Sequence, residues 1–345
     1  MPVDIDPSRA LQVIRADREG RPAPSAEARE KVQTEQQVLD SAAKRALNGP
    51  RSMFARTGNV QLDDATGGIE PGLNWVVAAQ SGFGKSTMAA AIADENLGVR
   101  KVLIGSTEDV ARLYGARILC RRTRVSATRF KWGRLQDWEK AEVREAQARA
   151  RALPLFIDWN GTTAEQIARD IAGWSDRDGA RHPGIVEEHG IEIILLDWLQ
   201  KIPTEKRCDS ARETVRHAYD CVSRAAKQIK CGLVVFSQVT PDNGVPGMSW
   251  IRDSKDVGML SDVCVLGLCK DEHKEDGSLK SRERRFLIAK VKDEEAGRSV
   301  PTGWENESAS FQPLRRHTNE TPPDDYEEHF EGLDGQSMAA GDYEE

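Results

Sequence analysis

The sequence contains no apolar run of the roughly 18 residues that a membrane-spanning helix needs. Its first residues lack the apolar centre of a secretory signal peptide. Its six cysteines include no C-x-x-C pair, which is not the pattern of a disulfide framework or a zinc module. Cys231 and Cys264 lie in or beside apolar runs and are expected as buried thiols. These absences predict a reducing, cytoplasmic compartment and no membrane partner.

Lysine and arginine are missing from residues 317–345, which carry ten acidic residues. The whole chain has a net charge of −7. Without those ten acids, residues 1–316 carry a net charge of +3. Nucleic-acid-binding domains are usually basic, so the charge by itself gives no support for a nucleic-acid partner. The acidity predicts a separate, disordered tail at 317–345.

A length of 345 residues corresponds to about two domains of roughly 150 residues each. A hydrophobic content of 39% is sufficient for a buried core. Residues 1–56 are predicted as an arm with one polar helix, 25–47, which Asn48-Gly49-Pro50 ends. That helix either stays solvated or docks on a neighbouring subunit. The folded domain is therefore predicted at 57–316.

Apolar runs alternate with helical stretches between residues 57 and 311. Continuous apolar runs are typical of strands buried on both faces, and their alternation with helices predicts a parallel sheet. The clearest helix, 211–230, places one apolar stripe on the sheet. The predicted fold class is α/β, a mostly parallel twisted sheet with helices on both faces. The predicted strands are 74–79, 102–106, 154–158, 191–197, 232–237, 262–268 and 285–291.

A glycine-rich loop between the first strand and a helix matches the phosphate-loop pattern G-x-x-x-x-G-K-[ST], except that alanine stands at the first position. Glycines let backbone N–H groups turn toward phosphate oxygens, and the helix N-terminus adds partial positive charge. The lysine can reach the β- and γ-phosphates of ATP, and the serine hydroxyl can ligate Mg²⁺. The predicted nucleotide-binding residues are Ala79, Gln80, Ser81, Gly82, Phe83, Gly84, Lys85, Ser86 and Thr87.

Two carboxylates follow predicted strands at the edge where an α/β sheet binds its ligand. Asp197 ends the run IILLD, where a Walker-B aspartate holds Mg²⁺ together with Ser86. Glu108 follows VLIGST and is the candidate that activates water. From the residues alone, Glu108 is equally an acid placed near a helix N-terminus by the helix dipole.

Several ordered segments resemble the RecA-like ATPase domain of the DnaB-type replicative helicases. TGNVQLDDATGGIEPG (57–72) looks like the family's entry segment, AQSGFGKST its phosphate loop, and GSTED (105–109) the segment with its catalytic glutamate, Glu108. ILLDWLQKI (194–202) is similar to its Asp-Tyr-Leu-Gln signature, with Trp198 in place of tyrosine. Residues 210–239 and 251–265 resemble its later helix, Ser-Gln strand and Arg-Glu-Ser segment. The resemblance covers 57–316 and implies a P-loop NTPase core with a C-terminal β-hairpin region.

The resemblance also assigns further roles. Gln238 matches a polar residue that senses the γ-phosphate. Lys290 and Lys292 stand where the family has a Lys-x-Arg finger acting on a neighbouring subunit's nucleotide, and Arg298 or Arg285 is an alternative finger. The 56 residues before the domain are too few for the family's N-terminal helical domain, so we expect a short phage or plasmid form. Residues 175–190 are expected as an inserted surface loop.

The function implied is an ATP- and Mg²⁺-dependent ring helicase, a homo-hexamer that translocates on single-stranded DNA, 5′ to 3′, in a bacterial or phage-infected cell. Loops 201–212 and 240–256 are its candidate DNA contacts. The acidic tail either docks a polymerase, primase or loader, competes with DNA, or only solubilises. Two alternatives stay open: a recombination or repair ATPase, and an ATP-switched assembly factor that is not a motor. The candidate DNA-binding residues are Lys206, Arg207, Arg212, Arg252 and Lys255.

Overall fold

The computed structural model describes residues 43, 54–149, 154–241, 245–251, 255–273, 279–292 and 296–312. From residue 54 onward they belong to one unit, Met53–Glu345. The predicted arm and its helix, apart from residues 43 and 54–56, lie outside the described residues. So do Arg252, the side chain of Lys255 and the acidic tail. The domain boundaries at 56 and 316 therefore stay predictions.

One eight-stranded sheet forms the centre of the described fold, in the order β10-β9-β8-β1-β7-β6-β2-β3. The pairs from β8 to β3 are parallel, whereas β8–β9 and β9–β10 are antiparallel. Two small two-stranded sheets, β4–β5 and β11–β12, stand apart from it. The strands are β1 Asn74–Ala79, β2 Val102–Ser106, β3 Leu155–Asp158, β4 Trp174–Ser175, β5 Arg181–His182, β6 Ile193–Asp197, β7 Gly232–Gln238, β8 Val263–His273, β9 Leu279–Val291, β10 Ser299–Pro301, β11 Trp304–Glu305 and β12 Ser310–Phe311.

Nine α-helices lie in the described part of the chain, together with the 3-10 turns Leu199–Lys201 and Met248–Trp250. None of these helices combines the length and apolarity needed to span a bilayer. The helices are α1 Val60–Thr66, α2 Lys85–Asn96, α3 Ala111–Thr123, α4 Ala127–Lys131, α5 Asp137–Arg149, α6 Ala164–Ala172, α7 Ile185–His189, α8 Ala211–Gln228 and α9 Lys255–Leu260.

The central strands are buried along their whole length because helices cover both faces of the sheet. Every residue of β1, β2 and β6 is buried. One apolar cluster joins α2 and α3 to one face, and a second joins α6 and α8 to the other. This burial on both faces explains the continuous apolar runs in the sequence.

The predicted fold class is confirmed, and each of the seven predicted strands is present. Strand β8 extends to His273 and β9 begins at Leu279, so their antiparallel pair is a hairpin that is longer than its apolar run. The polar segment 175–190 differs from the expected loop, because it contains strand β5, which pairs with β4, and helix α7. Short polar elements of this kind carry no apolar periodicity by which the sequence would reveal them.

Candidate nucleotide-binding site

The predicted phosphate loop joins the end of β1 to the start of α2. Gly82 and Gly84 have φ angles of 79° and 106°, in the left-handed region that favours glycine. Gly84 caps α2 without any side-chain hydrogen bond to the first helical N–H groups. Those groups need a partner, and an anion at a helix N-terminus supplies one. The loop therefore fits a phosphate group.

The Phe83 side chain packs the loop against the apolar core. The side chain is fully buried, and its ring lies 5.4 Å from Phe286 and 5.6 Å from Phe311, measured between centroids. The Gln80 N–H donates to the carbonyl of Gly267 on β8 at 3.1 Å. The Phe83 N–H donates to the carbonyl of Gln80 at 3.2 Å, and the Phe83 side chain holds the loop on the core.

Lys85 lies at the centre of the site. Its Nζ donates to the carbonyl of Ala79 at 3.4 Å and stands 5.3 Å from the centre of the Trp198 ring. Burial lowers the pKa of Lys85, while the negative charges of Asp197 and Glu108 oppose that shift. The ammonium group thus binds a loop carbonyl and lies within electrostatic reach of both predicted carboxylates.

Asp197 and Ser86 lie side by side in the structure. Ser86 is hydrogen-bonded to the buried carboxylate of Asp197, and the Tyr114 hydroxyl donates to its Oδ2 at 2.6 Å. Burial raises the pKa of Asp197, against the hydrogen bonds from Ser86 and Tyr114 and the charges of Arg117 and Lys85. A hydroxyl beside a carboxylate is an oxygen donor set that suits Mg²⁺.

Glu108 follows β2 at the same edge of the sheet. Ser106 Oγ accepts the backbone N–H groups of Glu108 and Asp109 at 3.3 and 2.9 Å. The Glu108 side chain is 53% exposed, and its Oε1 lies 3.6 Å from Lys201 Nζ. This carboxylate is close enough to act on the charge of Lys85 and remains open to water.

Gln238 ends β7 beside the phosphate loop, in register with Ala79. Its backbone N–H donates to Gln200 Oε1 at 3.2 Å, and Gln200 Nε2 donates to Ser237 Oγ at 2.8 Å. Gln200 was visible in the sequence only as the last residue of Asp-Trp-Leu-Gln. In the structure it links the ends of β6 and β7.

The structure does not bring Lys290 and Lys292 to this site. Lys290 is in register with Cys264 near the start of β8, whereas the phosphate loop packs beside Gly267. Lys290 Nζ donates to the carbonyls of Met259 and Ser261, each at 2.5 Å. Lys292 follows β9, its side chain is 57% exposed, and its Nζ lies 3.9 Å from Asp262. Both lysines therefore lie toward the end of the sheet where the parallel strands begin, opposite the phosphate loop.

The candidate DNA-binding cations follow β6 and β7 on the side of the phosphate loop. Lys206 pairs with Glu213 at 3.2 Å, and Arg212 pairs with Asp256 at 2.9 Å. Arg207 is exposed. Because exposed ion pairs contribute little free energy, these pairs do not prevent the cations from meeting a phosphate.

Three arginines near the site were not predicted. Arg282 and Arg284, on β9, both donate to the carbonyl of Gly82, at 3.4 and 3.3 Å, and Arg284 Nε donates to the carbonyl of Phe83 at 3.1 Å. Arg117 pairs with Asp109 at 2.6 Å, while its buried Nη1 has no hydrogen-bond partner among the described residues. No local motif predicts the contacts of Arg282 and Arg284, since they join segments about two hundred residues apart in the chain.

Known proteins resemble this chain in sequence. The family model described as DnaB-like helicase C terminal domain matches residues 55–313. The replicative DNA helicase DnaB of Leifsonia xyli subsp. xyli is 24% identical over 244 residues, which cover 68% of this chain and 50% of the relative. DnaB of Haemophilus influenzae is 24% identical over 256 residues, covering 70% of this chain and 52% of the relative. The chain thus spans about half the length of these curated relatives.

Two solved structures share the fold. One is described as an ATPase domain; it has a TM-score of 0.68 and 17% identity, covering 83% of this chain and all of that one. A DnaB-like replicative helicase, described with its interactions with primase, has a TM-score of 0.66 and 17% identity, covering 91% of this chain and 73% of that one. These likenesses identify the sheet as RecA-like. With a family model matching residues 55–313, the chain belongs to the family of DnaB-like helicase C-terminal domains.

Proposed function

We propose that the chain is the ATP-hydrolysing motor of a replicative DNA helicase, working as a homo-hexameric ring on single-stranded DNA in the 5′ to 3′ direction. The observation that carries the proposal is the shared sheet edge. The phosphate loop, the Ser86–Asp197 pair, Glu108 and Gln238 all lie there. Membership of the DnaB-like family supports DNA as the polymer on which the motor acts.

At this site the loop N–H groups and Lys85 would bind the phosphates of ATP. Ser86 and Asp197 would hold Mg²⁺, which supplies neutralisation of phosphate charge when bound. Glu108 would orient the attacking water and accept its proton, a role suited to a carboxylate open to solvent. Gln238, at the end of the strand beside the loop, would sense the γ-phosphate.

A ring arrangement is supported by the position of Lys292. Lys292 follows Val291, which pairs with Val263 at the start of β8. The phosphate loop packs beside Gly267, four residues further along β8. Lys292 is therefore about 13 Å along the strand direction from its own phosphate loop. At that distance Lys292 does not reach its own nucleotide, so a finger role for it requires the nucleotide of another copy. Lys292 is the better finger than Lys290, because Lys290 is already bound to two carbonyls.

The remaining parts of the proposal concern DNA and partner proteins. Lys206, Arg207, Arg212, Arg252 and Lys255 would meet phosphates of the strand in the ring channel, without reading sequence. The acidic tail would dock a basic surface of a polymerase, primase or loader. The protein would work in the cytoplasm, where these replication partners are found.

The decisive experiment measures ATP hydrolysis with and without single-stranded DNA, beside strand displacement on a forked duplex and a mass measurement with ATP and Mg²⁺. We expect stimulated hydrolysis, unwinding and a hexamer. Hydrolysis that single-stranded DNA does not change would contradict the motor. Stimulated hydrolysis with D-loop formation and no unwinding would instead indicate a recombinase.

Arg284 is expected to organise the phosphate loop. Its guanidinium donates hydrogen bonds to the carbonyls of Gly82 and Phe83. Its Cζ lies 3.7 Å from the centre of the Trp304 ring. The N–H groups of Gln80 and Phe83 donate to Gly267 and Gln80, so the phosphates would meet the other N–H groups of the loop. We expect Arg284→Ala to weaken ATP binding about tenfold, or about 1.4 kcal/mol, as measured by titration with a fluorescent ATP analogue.

The matched control for Arg284→Ala is Arg285→Ala. Arg285 is the next residue, and its Nε donates to Ser299 Oγ at 3.0 Å instead of to the loop. We expect ATP affinity close to wild type for Arg285→Ala. Equal losses in the two variants would show that the hairpin matters only as a whole.

Lys292→Ala is expected to lower turnover at least about tenfold while ATP binding stays unchanged, because a trans finger stabilises transition-state charge. Mixing Lys292→Ala with Lys85→Ala should restore part of the activity, since some interfaces then combine an intact loop with an intact finger. The control is Lys227→Ala, because Lys227 pairs with the same Asp262, at 2.9 Å. An inactive mixture, measured beside mixed wild-type subunits, would remove Lys292 from the finger role.

A further inference from the structure

A cluster of three metal-ligating side chains lies away from the nucleotide site. Glu165, in the first turn of α6, faces His217 and Cys221 of α8. His217 Nε2 lies 2.8 Å from Glu165 Oε1 and 3.6 Å from Cys221 Sγ. The three ligand atoms all lie within 4.8 Å of one another.

We propose that Glu165, His217 and Cys221 form a zinc site. Zinc binds through carboxylate oxygen, imidazole nitrogen and thiolate sulfur at about 2.0–2.3 Å in tetrahedral geometry. Two donors on one ion are then separated by about 3.3–3.7 Å. The 3.6 Å between nitrogen and sulfur already matches this separation, and the 2.8 Å between nitrogen and oxygen needs to open by only about half an ångström.

The helical spacing of the two α8 ligands supports the site. Residues four apart lie on one face of a helix, so His217 and Cys221 point to the same neighbour. That neighbour, α6, packs closely along α8 in the second apolar cluster. All three donors therefore stand on helices that pack against each other.

The surroundings favour a cation. The acidic side chains of Glu165, Asp220 and Glu205 all lie close enough to Cys221 for their charges to act on it, and Arg224 is the opposing cation.

Contacts outside the ligands hold the carboxylate in place. Glu165 Oε2 accepts the N–H of Glu205 at 2.8 Å, and its Oε1 accepts the N–H of Lys206 at 3.3 Å. Hydrogen bonds of this kind orient metal ligands. A bound ion would therefore tie α6 and α8 to residues 205–206, which belong to the first candidate DNA loop, 201–212.

In the binding step, Zn²⁺ exchanges bound water molecules for the three side chains. Cys221 loses its thiol proton to solvent, His217 binds through Nε2 with its proton on Nδ1, and Glu165 contributes Oε1. Three protein ligands leave a fourth tetrahedral position for a water molecule. No oxidant or reductant takes part.

The test uses Co²⁺ as a spectroscopic substitute for Zn²⁺ on the full, chelator-treated chain. We expect one equivalent of Co²⁺ to give a sulfur-to-cobalt charge-transfer band together with the visible bands of a tetrahedral ion. One equivalent of Zn²⁺ should bleach both. Co²⁺ at the Mg²⁺ position has only oxygen ligands, so it would give neither a thiolate band nor tetrahedral bands.

Three variants examine the ligands, with circular dichroism as the check on folding. Cys221→Ser should remove the charge-transfer band. His217→Gln and Glu165→Gln should each weaken Zn²⁺ binding at least about tenfold. Cys208→Ser, in the adjoining loop, is the matched control and should keep the band.

Three outcomes would overturn the proposal: no thiolate band in the wild-type protein, a band that survives in Cys221→Ser, or a band that is lost in Cys208→Ser. The first would leave Glu165 and His217 as an ordinary hydrogen-bonded pair. The other two would place the thiolate ligand at another cysteine. ATP hydrolysis is not part of this readout, so failure here leaves the proposed motor untouched.

Discussion

Lys85→Ala is expected to abolish ATP turnover and to weaken ATP binding strongly. The Lys85 ammonium donates to the Ala79 carbonyl, and the charges of two carboxylates, Asp197 and Glu108, act on it. Without that cation the carboxylates would face the triphosphate directly, and like charges repel strongly where water is partly excluded. We expect hydrolysis to fall roughly a hundredfold or more, the scale on which one electrostatic contact to a transition state acts.

The measurement for Lys85→Ala combines steady-state ATP hydrolysis with direct titration of a fluorescent ATP analogue. Lys101→Ala is the control, because Lys101 is exposed and its Nζ donates to the His189 carbonyl at 2.9 Å, away from the site. We expect Lys101→Ala to behave as wild type. Normal turnover in Lys85→Ala, with folding unchanged, would show that this glycine-rich turn is not a phosphate loop.

Glu108→Gln is expected to leave ATP binding intact and to block hydrolysis. Glutamine has nearly the same shape as glutamate, and Ser106 Oγ would still accept the backbone N–H groups at 108 and 109. The substitution removes the ability to take a proton, together with one negative charge near Lys85 and Lys201. General base catalysis contributes typically about 10²–10⁴-fold, and we expect a loss of turnover in that range with an unchanged ATP dissociation constant.

The neighbouring carboxylate distinguishes a catalytic glutamate from an acid that merely suits a helix N-terminus. Asp109 is turned to Arg117, with 2.6 Å between Oδ2 and Nη2. We expect Asp109→Asn to retain most of the turnover that Glu108→Gln loses, in single-turnover assays on both variants. If Glu108→Gln hydrolyses ATP normally, the dipole explanation for this residue is the better one.

The strands and the phosphate loop were predictable because their signals are local. A strand buried on both faces is a continuous apolar run, and the loop combines such a run with glycines, Lys85 and Ser86 before a helix. Asp197 was predictable for the same reason, since it ends an apolar strand. The order of the strands then places it beside Ser86, as the parallel α/β pattern implies.

Contacts across the sheet were not predictable in this way. Arg282 and Arg284 reach Gly82 from a hairpin about two hundred residues later. Lys290 matched a finger motif, yet its ammonium group binds two carbonyls at the end of α9. A motif predicts which residue type stands at a position in the chain. Which group that side chain contacts depends on the tertiary arrangement of the strands.

The sequence by itself determined the α/β class, the glycine-rich loop before α2 and the order of the family motifs, because each of these depends on residues that are neighbours in the chain. Only the tertiary structure decided which cations contact the loop and which lie at the opposite end of the strands. It also placed Glu165 against His217 and Cys221, although the missing C-x-x-C pairs argued against a zinc module. Packing of α6 on α8 brings together donors about fifty residues apart, and no local spacing records that.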